Sequence, residues 1–171
     1  MKENQYYFTM PESDVTVSVE FSYRVLTNPF TDVKTGDWFY DAVSYVYAEG
    51  LMTGTGTYTF SPSAPTSRAM LVTILWRLQG EPYVSGSSFS DVKSSAYYYD
   101  AVRWAARYGI VEGYEGNVFK PDDAITREQF AAILYRYAEY CKHSTSASPN
   151  LPAYKDNAKV SSWAGTALKW A

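Results

Sequence analysis

One cysteine, Cys141, and one histidine, His143, are all that this 171-residue chain has of either residue. A single cysteine excludes a disulfide within the chain and a cysteine metal cluster. A lone histidine in the polar tract from His143 to Pro149 gives no Ser/His/Asp or Cys/His arrangement to build on. Long apolar runs are also missing. Met1-Lys-Glu-Asn-Gln5 has no hydrophobic stretch behind it, so no signal peptide is expected, and no segment reaches the length of a membrane span. Charge of one sign is not in excess: the net charge is −3 and the isoelectric point near 5.2. The basic residues are scattered, so no nucleic acid partner is expected, and without a span-length apolar segment no membrane insertion is expected either. No phosphate loop or metal-ligand spacing is present, and no cofactor is expected.

What the chain does have is an ordinary globular balance, 46% apolar and 19% charged, with an aromatic fraction raised to 18% by 17 Tyr and 5 Trp. Such side chains suit wet-edged cores and sugar faces alike. Self-similarity organises the rest. Phe30-Thr-Asp-Val33 returns 59 residues later as Phe89-Ser-Asp-Val92. In the same ungapped register Tyr40-Asp-Ala-Val43 matches Tyr99-Asp-Ala-Val102, Gly50 and Gly54 match Gly109 and Gly113, and Phe60 matches Phe119. Further on Arg68 matches Arg127, and Ile74-Leu75 with Arg77 matches Ile133-Leu134 with Arg136. A third start appears at Tyr154-Lys-Asp156 and stops inside its first helix, at a segment Ala167 to Ala171 that is like Ala101 to Ala105.

Each repeat reads as helix, loop, helix. Ala42, Val43, Val46 and Tyr47 recur at helical spacing before Gly50, and Ala101, Val102, Ala105 and Ala106 do so before Gly109. The loop from Leu51 to Pro65 is rich in Gly, Thr, Ser and Pro, and Phe60 and Phe119 are expected to plug the core. The second helix is expected to carry a buried stripe, Leu71, Ile74, Leu75 and Leu78 in one copy and Phe130, Ile133, Leu134 and Tyr137 in the other. Thr126 and Gln129 have capping-box spacing, whereas Met70 is expected not to close such a box. Before the repeats, Tyr6 to Phe21 alternates like a half-buried strand and reads as the closing hairpin of a preceding surface domain. The expected organisation is therefore a β fragment at 1–27, repeats at 28–84 and 85–143, a linker at 144–150 and a truncated third repeat at 151–171.

These elements resemble the S-layer homology domain. The resemblance rests on Phe30-x-Asp32, Trp38, Gly50-Leu51-x-x-Gly54, Phe60-x-Pro62 and Ser67-Arg68-Ala69, and again on Phe89-x-Asp91, Tyr97, Gly109-Ile110-x-x-Gly113, Phe119-x-Pro121 and Thr126-Arg127-Glu128. It implies a mainly α fold in which helix-loop-helix units form a pseudo-threefold spindle around a helical bundle, with grooves between neighbouring repeats. It also implies a function. Family members anchor surface proteins non-covalently to bacterial cell-wall polysaccharide, often through a pyruvylated sugar, so the chain is expected to be an extracellular, non-catalytic piece of a longer secreted protein. The alternative is a structural self-assembly module without glycan binding, with self-association through the incomplete third repeat.

Individual residues carry two readings. Arg68 and Arg127, at helix starts, offer paired donors for a ketal carboxylate, or are simply solvated. Asp32, Asp91 and Asp156 can accept from sugar hydroxyls or cap turns. Trp38, Tyr97 and Trp163 can stack on sugar or plug core. The glycine pairs, with Leu51 and Ile110 between them, allow a close backbone approach or merely end helices. Asp122-Asp123 invites a glycosidase reading, but Ser63 and Ala64 stand at the matching positions and both acids precede a helix, where they favour its dipole.

Overall fold

A computed structural model of the chain describes residues 25–171, except 87, 149 and 152–154. The alternating segment from Tyr6 to Phe21 lies outside the described residues. Five α-helices follow: α1 Tyr40–Ala48, α2 Arg68–Leu78, α3 Tyr99–Arg107, α4 Arg127–Tyr140 and α5 Gly165–Trp170, with short 3-10 turns at Asn157–Lys159 and Ser162–Ala164. The fold is mainly α. Extended pairing among the described residues is confined to isolated bridges, such as Ser67 with Ala124.

The start of each second helix is fixed locally. Thr126 accepts from the Gln129 backbone N–H at 3.2 Å, and the Gln129 side chain accepts from the Thr126 N–H at 3.3 Å. Ser67 does the same for Met70 at 3.2 Å. Contrary to expectation, Met70 closes its box: the Ser67 N–H points at the thioether sulfur, 3.4 Å away. Sulfur is a weak acceptor, so the box survives with one weakened arm.

The loops repeat the same key contacts. Thr31 N–H donates to the Tyr58 carbonyl at 2.8 Å, and Ser90 N–H to that of Asn117 at 2.9 Å. Phe30 and Phe60 rings lie 5.3 Å apart, Phe89 and Phe119 rings 5.5 Å. Asp32 accepts from Phe60 N–H at 2.9 Å and Ser61 N–H at 2.7 Å, as Asp91 does from Phe119 and Lys120 at 2.8 and 2.7 Å. Ser61 and Lys120 sit in the left-handed region, with φ of 60° and 57°. Each carboxylate therefore clamps a strained corner of a loop 28 residues away, which compensates for the conformation. Those two amide donors also hold the Asp32 carboxyl below its ordinary range.

Packing runs from one repeat to the next. Helix α2 lies on α3, and α4 lies on α5, so the second helix of each unit covers the first helix of its successor. The main core joins Leu71, Val72 and Leu75 of α2 to Val102 and Trp104 of α3, with Ile110, Phe119 and Ile133. A smaller cluster seats Ala131 and Ala132 of α4 against Ala167. The expected stripes are partly displaced: Leu78 is 50% exposed and Phe130 40%, while Val72 and Ala131 are buried instead. Helix α2 turns Leu71, Val72 and Leu75 toward α3, and α4 packs on two sides, Ile133, Leu134 and Tyr137 against its own repeat and Ala131 and Ala132 against Ala167. The segment 144–148 is tied to α5 by the Trp170 Nε1–H donating to the Ser144 carbonyl at 3.2 Å.

Candidate functional site

Two grooves, each at a junction of consecutive repeats, are built from matching positions. The first, of about 440 Å³, is lined by the loop Leu51-Met-Thr-Gly-Thr55, by Met70, Thr73, Ile74 and Arg77 of α2, and by Tyr97 from the second repeat. The second, of about 200 Å³, is lined by the loop Val111-Glu-Gly-Tyr114, by Gln129, Ala132, Ile133 and Arg136 of α4, by Trp163 from the third segment, and by Arg68. Tyr97 and Trp163 each stand just ahead of a first helix, 62% and 57% exposed. An aromatic face contributed by one repeat thus opposes a cation and a glycine loop contributed by another. That combination suits a sugar ring with polar or anionic substituents.

The glycines shape the loops. A Cβ on Gly54 would sit 2.5 Å from both the Phe30 ring and the Thr59 carbonyl, and on Gly113 it would strike the Phe89 ring and lie 2.8 Å from the Val118 carbonyl. Only hydrogen fits at either position. Gly54 has φ of +82°, but Gly113 does not need the left-handed region, so close packing is what the two share. Gly50 and Gly109, both at φ +68°, stop α1 and α3 and line neither groove. Ile110 is fully buried in the core, out of reach of a ligand, whereas Leu51 reaches the first groove.

Arg68 is a staple between repeats. Its Nε–H donates to the Phe119 carbonyl at 2.9 Å and Nη2 to the Glu112 carbonyl at 3.3 Å. The guanidinium lies 4.9 Å and 4.7 Å from the ring centroids of Tyr114 and Phe119. Only 4% of the residue is exposed, and this burial pulls its pKa below the ordinary arginine value. Arg127, by contrast, is 77% exposed and lies 4.0 Å from Asp156. Both line a third, apolar depression of about 610 Å³ between α4 and the C-terminal segment, with Phe130 and Leu168. Asp32 and Asp91 are engaged by backbone amides and line none of these depressions. Trp38, matching Tyr97 in register, is 93% exposed and in none of the three.

The sequence reading passed over Arg77 and Arg136. Arg77 Nη1 donates to the Leu51 carbonyl at 3.0 Å, and Arg136 Nη2 pairs with the Glu112 carboxylate at 3.0 Å. Their recurrence at the same register position was the available signal. Position in the last turns of a helix hid it, because nothing there indicates which loop the side chain will meet. Trp76, Trp104 and Trp170 pack internally. Among the described residues no cluster of His, Cys, Asp or Glu could hold a metal ion, and no helix is long and apolar enough to cross a membrane.

Comparison with known proteins places this architecture. The S-layer homology domain model matches residues 29–69 and 88–131. An endoglucanase of Bacillus sp. (strain KSM-635) is 34% identical across 82% of this chain, which spans 15% of that protein. The Surface-layer 125 kDa protein of Lysinibacillus sphaericus is 29% identical across 80% of the chain, 11% of its own length. An amylopullulanase of Thermoanaerobacterium thermosulfurigenes is 35% identical across 64% of the chain, 6% of its length.

Proposed function

Because the chain belongs to the S-layer homology family, we propose that it holds a surface protein on the bacterial cell wall by binding wall polysaccharide, including pyruvylated units, in the grooves between successive repeats. The observation that carries this reading is the duplicated groove. Tyr97 and Trp163 supply a sugar platform, Arg77 and Arg136 stand at matching places in the walls, and the Gly54 and Gly113 loops let backbone come close. Arg68 lies in the wall of the second groove and keeps its loop in place. Arg127 and Asp156 offer a further cation and acceptor in the third depression.

The relatives fit an anchor better than a catalyst. The match takes in only 15%, 6% and 11% of proteins named as an endoglucanase, an amylopullulanase and a surface-layer protein, and names so different fit a common attachment module better than a common reaction. Replacing Tyr97 and Trp163 together by Ala is expected to weaken retention on purified wall polysaccharide by about tenfold, since it removes the large amphipathic ring face from both grooves. Unchanged retention by a folded variant would count against the grooves.

A second reading, self-association, is favoured by one feature. Ala42 is exposed and Tyr45 is 53% exposed on α1, where no second helix lies across it among the described residues. Sedimentation across a concentration series, without polysaccharide, tests it.

A further inference from the structure

The two grooves share their plan but not their electrostatics. In the second, Glu112 stands on the loop and its carboxylate meets Arg136 at 3.0 Å. The matching residue in the first groove is Thr53, which lines it without a charge. Arg77 there donates to the Leu51 carbonyl, and Glu81 reaches its Nε only as a long 3.9 Å ion pair from outside the groove lining. Size differs in the same direction. About 440 Å³ falls within the range usual for small-ligand sites, and about 200 Å³ falls below it.

We infer that the first groove takes the anionic sugar and that Glu112 is the specificity-determining residue that withholds the second groove from it. A ligand carboxylate entering the second groove must displace the Glu112 carboxylate from Arg136 and then lie beside it, and like charges brought together at a binding surface discriminate strongly. Arg68 does not offset this. Its guanidinium is stacked between Tyr114 and Phe119 and donates to two backbone carbonyls, so it is committed to the loop. The second groove is left suited to a neutral saccharide unit, which Trp163 can support without a counter-charge. The inference rests on the glycan reading above and assigns its anionic component to one groove.

The test uses the full chain, labelled with 15N, and a methyl hexopyranoside bearing a 4,6-linked pyruvyl ketal, with the same glycoside lacking the ketal as control. The Gly54 and Gly113 amides report separately on the two grooves. With the ketal, the Gly54 signal is expected to reach its midpoint at a concentration at least about tenfold lower than Gly113. Glu112→Thr is expected to bring the two midpoints within about threefold, and Thr53→Glu to raise the Gly54 midpoint by about tenfold. Equal midpoints in the unmodified chain, or a ratio unmoved by Glu112→Thr, would overturn the inference while leaving glycan binding standing. No response at either glycine to either glycoside would overturn the glycan reading and this inference with it.

Discussion

Helices α1 and α3 have the same register and the same first turn, Tyr-Asp-Ala-Val, yet they live in different surroundings. Ala42 is exposed and its counterpart Ala101 is fully buried. Tyr45 is 53% exposed and its counterpart Trp104 is 0% exposed. The difference is the neighbour: α2 lies across α3, and among the described residues nothing equivalent lies across α1. In a repeat protein a helix's burial belongs to the interface with the adjacent unit, as nearest-neighbour stacking requires. The grooves are the outer edge of the same interfaces, so stability and binding are expected to depend on the same junctions.

The sharpest way to break the comparison is to truncate both members of the pair. Trp104→Ala removes a fully buried indole that meets Tyr137 and Tyr140 edge-on, and is expected to cost about 3–5 kcal/mol in urea unfolding. Tyr45→Ala is expected to cost less than about 1 kcal/mol in the same measurement. Equal losses would mean that α1 is covered after all. Next in size is Gly113→Ala, which forces a methyl group against the Phe89 ring and the Val118 carbonyl and should cost about 2 kcal/mol. Gly109→Ala, with open space around its Cβ but φ at +68°, should cost only about 1 kcal/mol.

The smallest expected effect concerns acid. Asp32 has its folded pKa lowered by the amides of Phe60 and Ser61, so its contribution is complete above the unfolded value, near 3.8, and is lost as pH falls through the lower folded value. Unfolding midpoints followed from pH 5 downward should therefore decline, and Asp32→Asn should flatten part of that decline. A variant with the same acid sensitivity as the parent would remove Asp32 from the account.

Much of this was legible in the sequence because it is local or periodic. The 59-residue register gave the repeats, helical spacing placed α1 to α4, and Thr126 with Gln129 marked a helix start that the hydrogen bonds reproduce. Phe119, read as a core plug, is fully buried. What stayed hidden depends on partners far along the chain. Asp32 and Asp91 could be read as ligands or as turn caps, and they turn out to brace loop corners 28 and 29 residues away. Arg68 looked like a surface cation at a helix start, and its guanidinium is buried by rings from the next repeat. Met70 lacks the usual chemistry for its box, and only the thioether's reach showed that it fills the place. Leu78 and Phe130 fit a stripe by spacing but lie outside it, because periodicity finds a face without saying which neighbour that face will meet.

The most direct test of the central claim is retention of the chain on bacterial wall sacculi that either keep their polysaccharide or have been chemically stripped of it. Retention by intact walls and its loss from stripped ones is the predicted result. Equal retention by both, or self-association that accounts for all of the retained protein, would contradict the account.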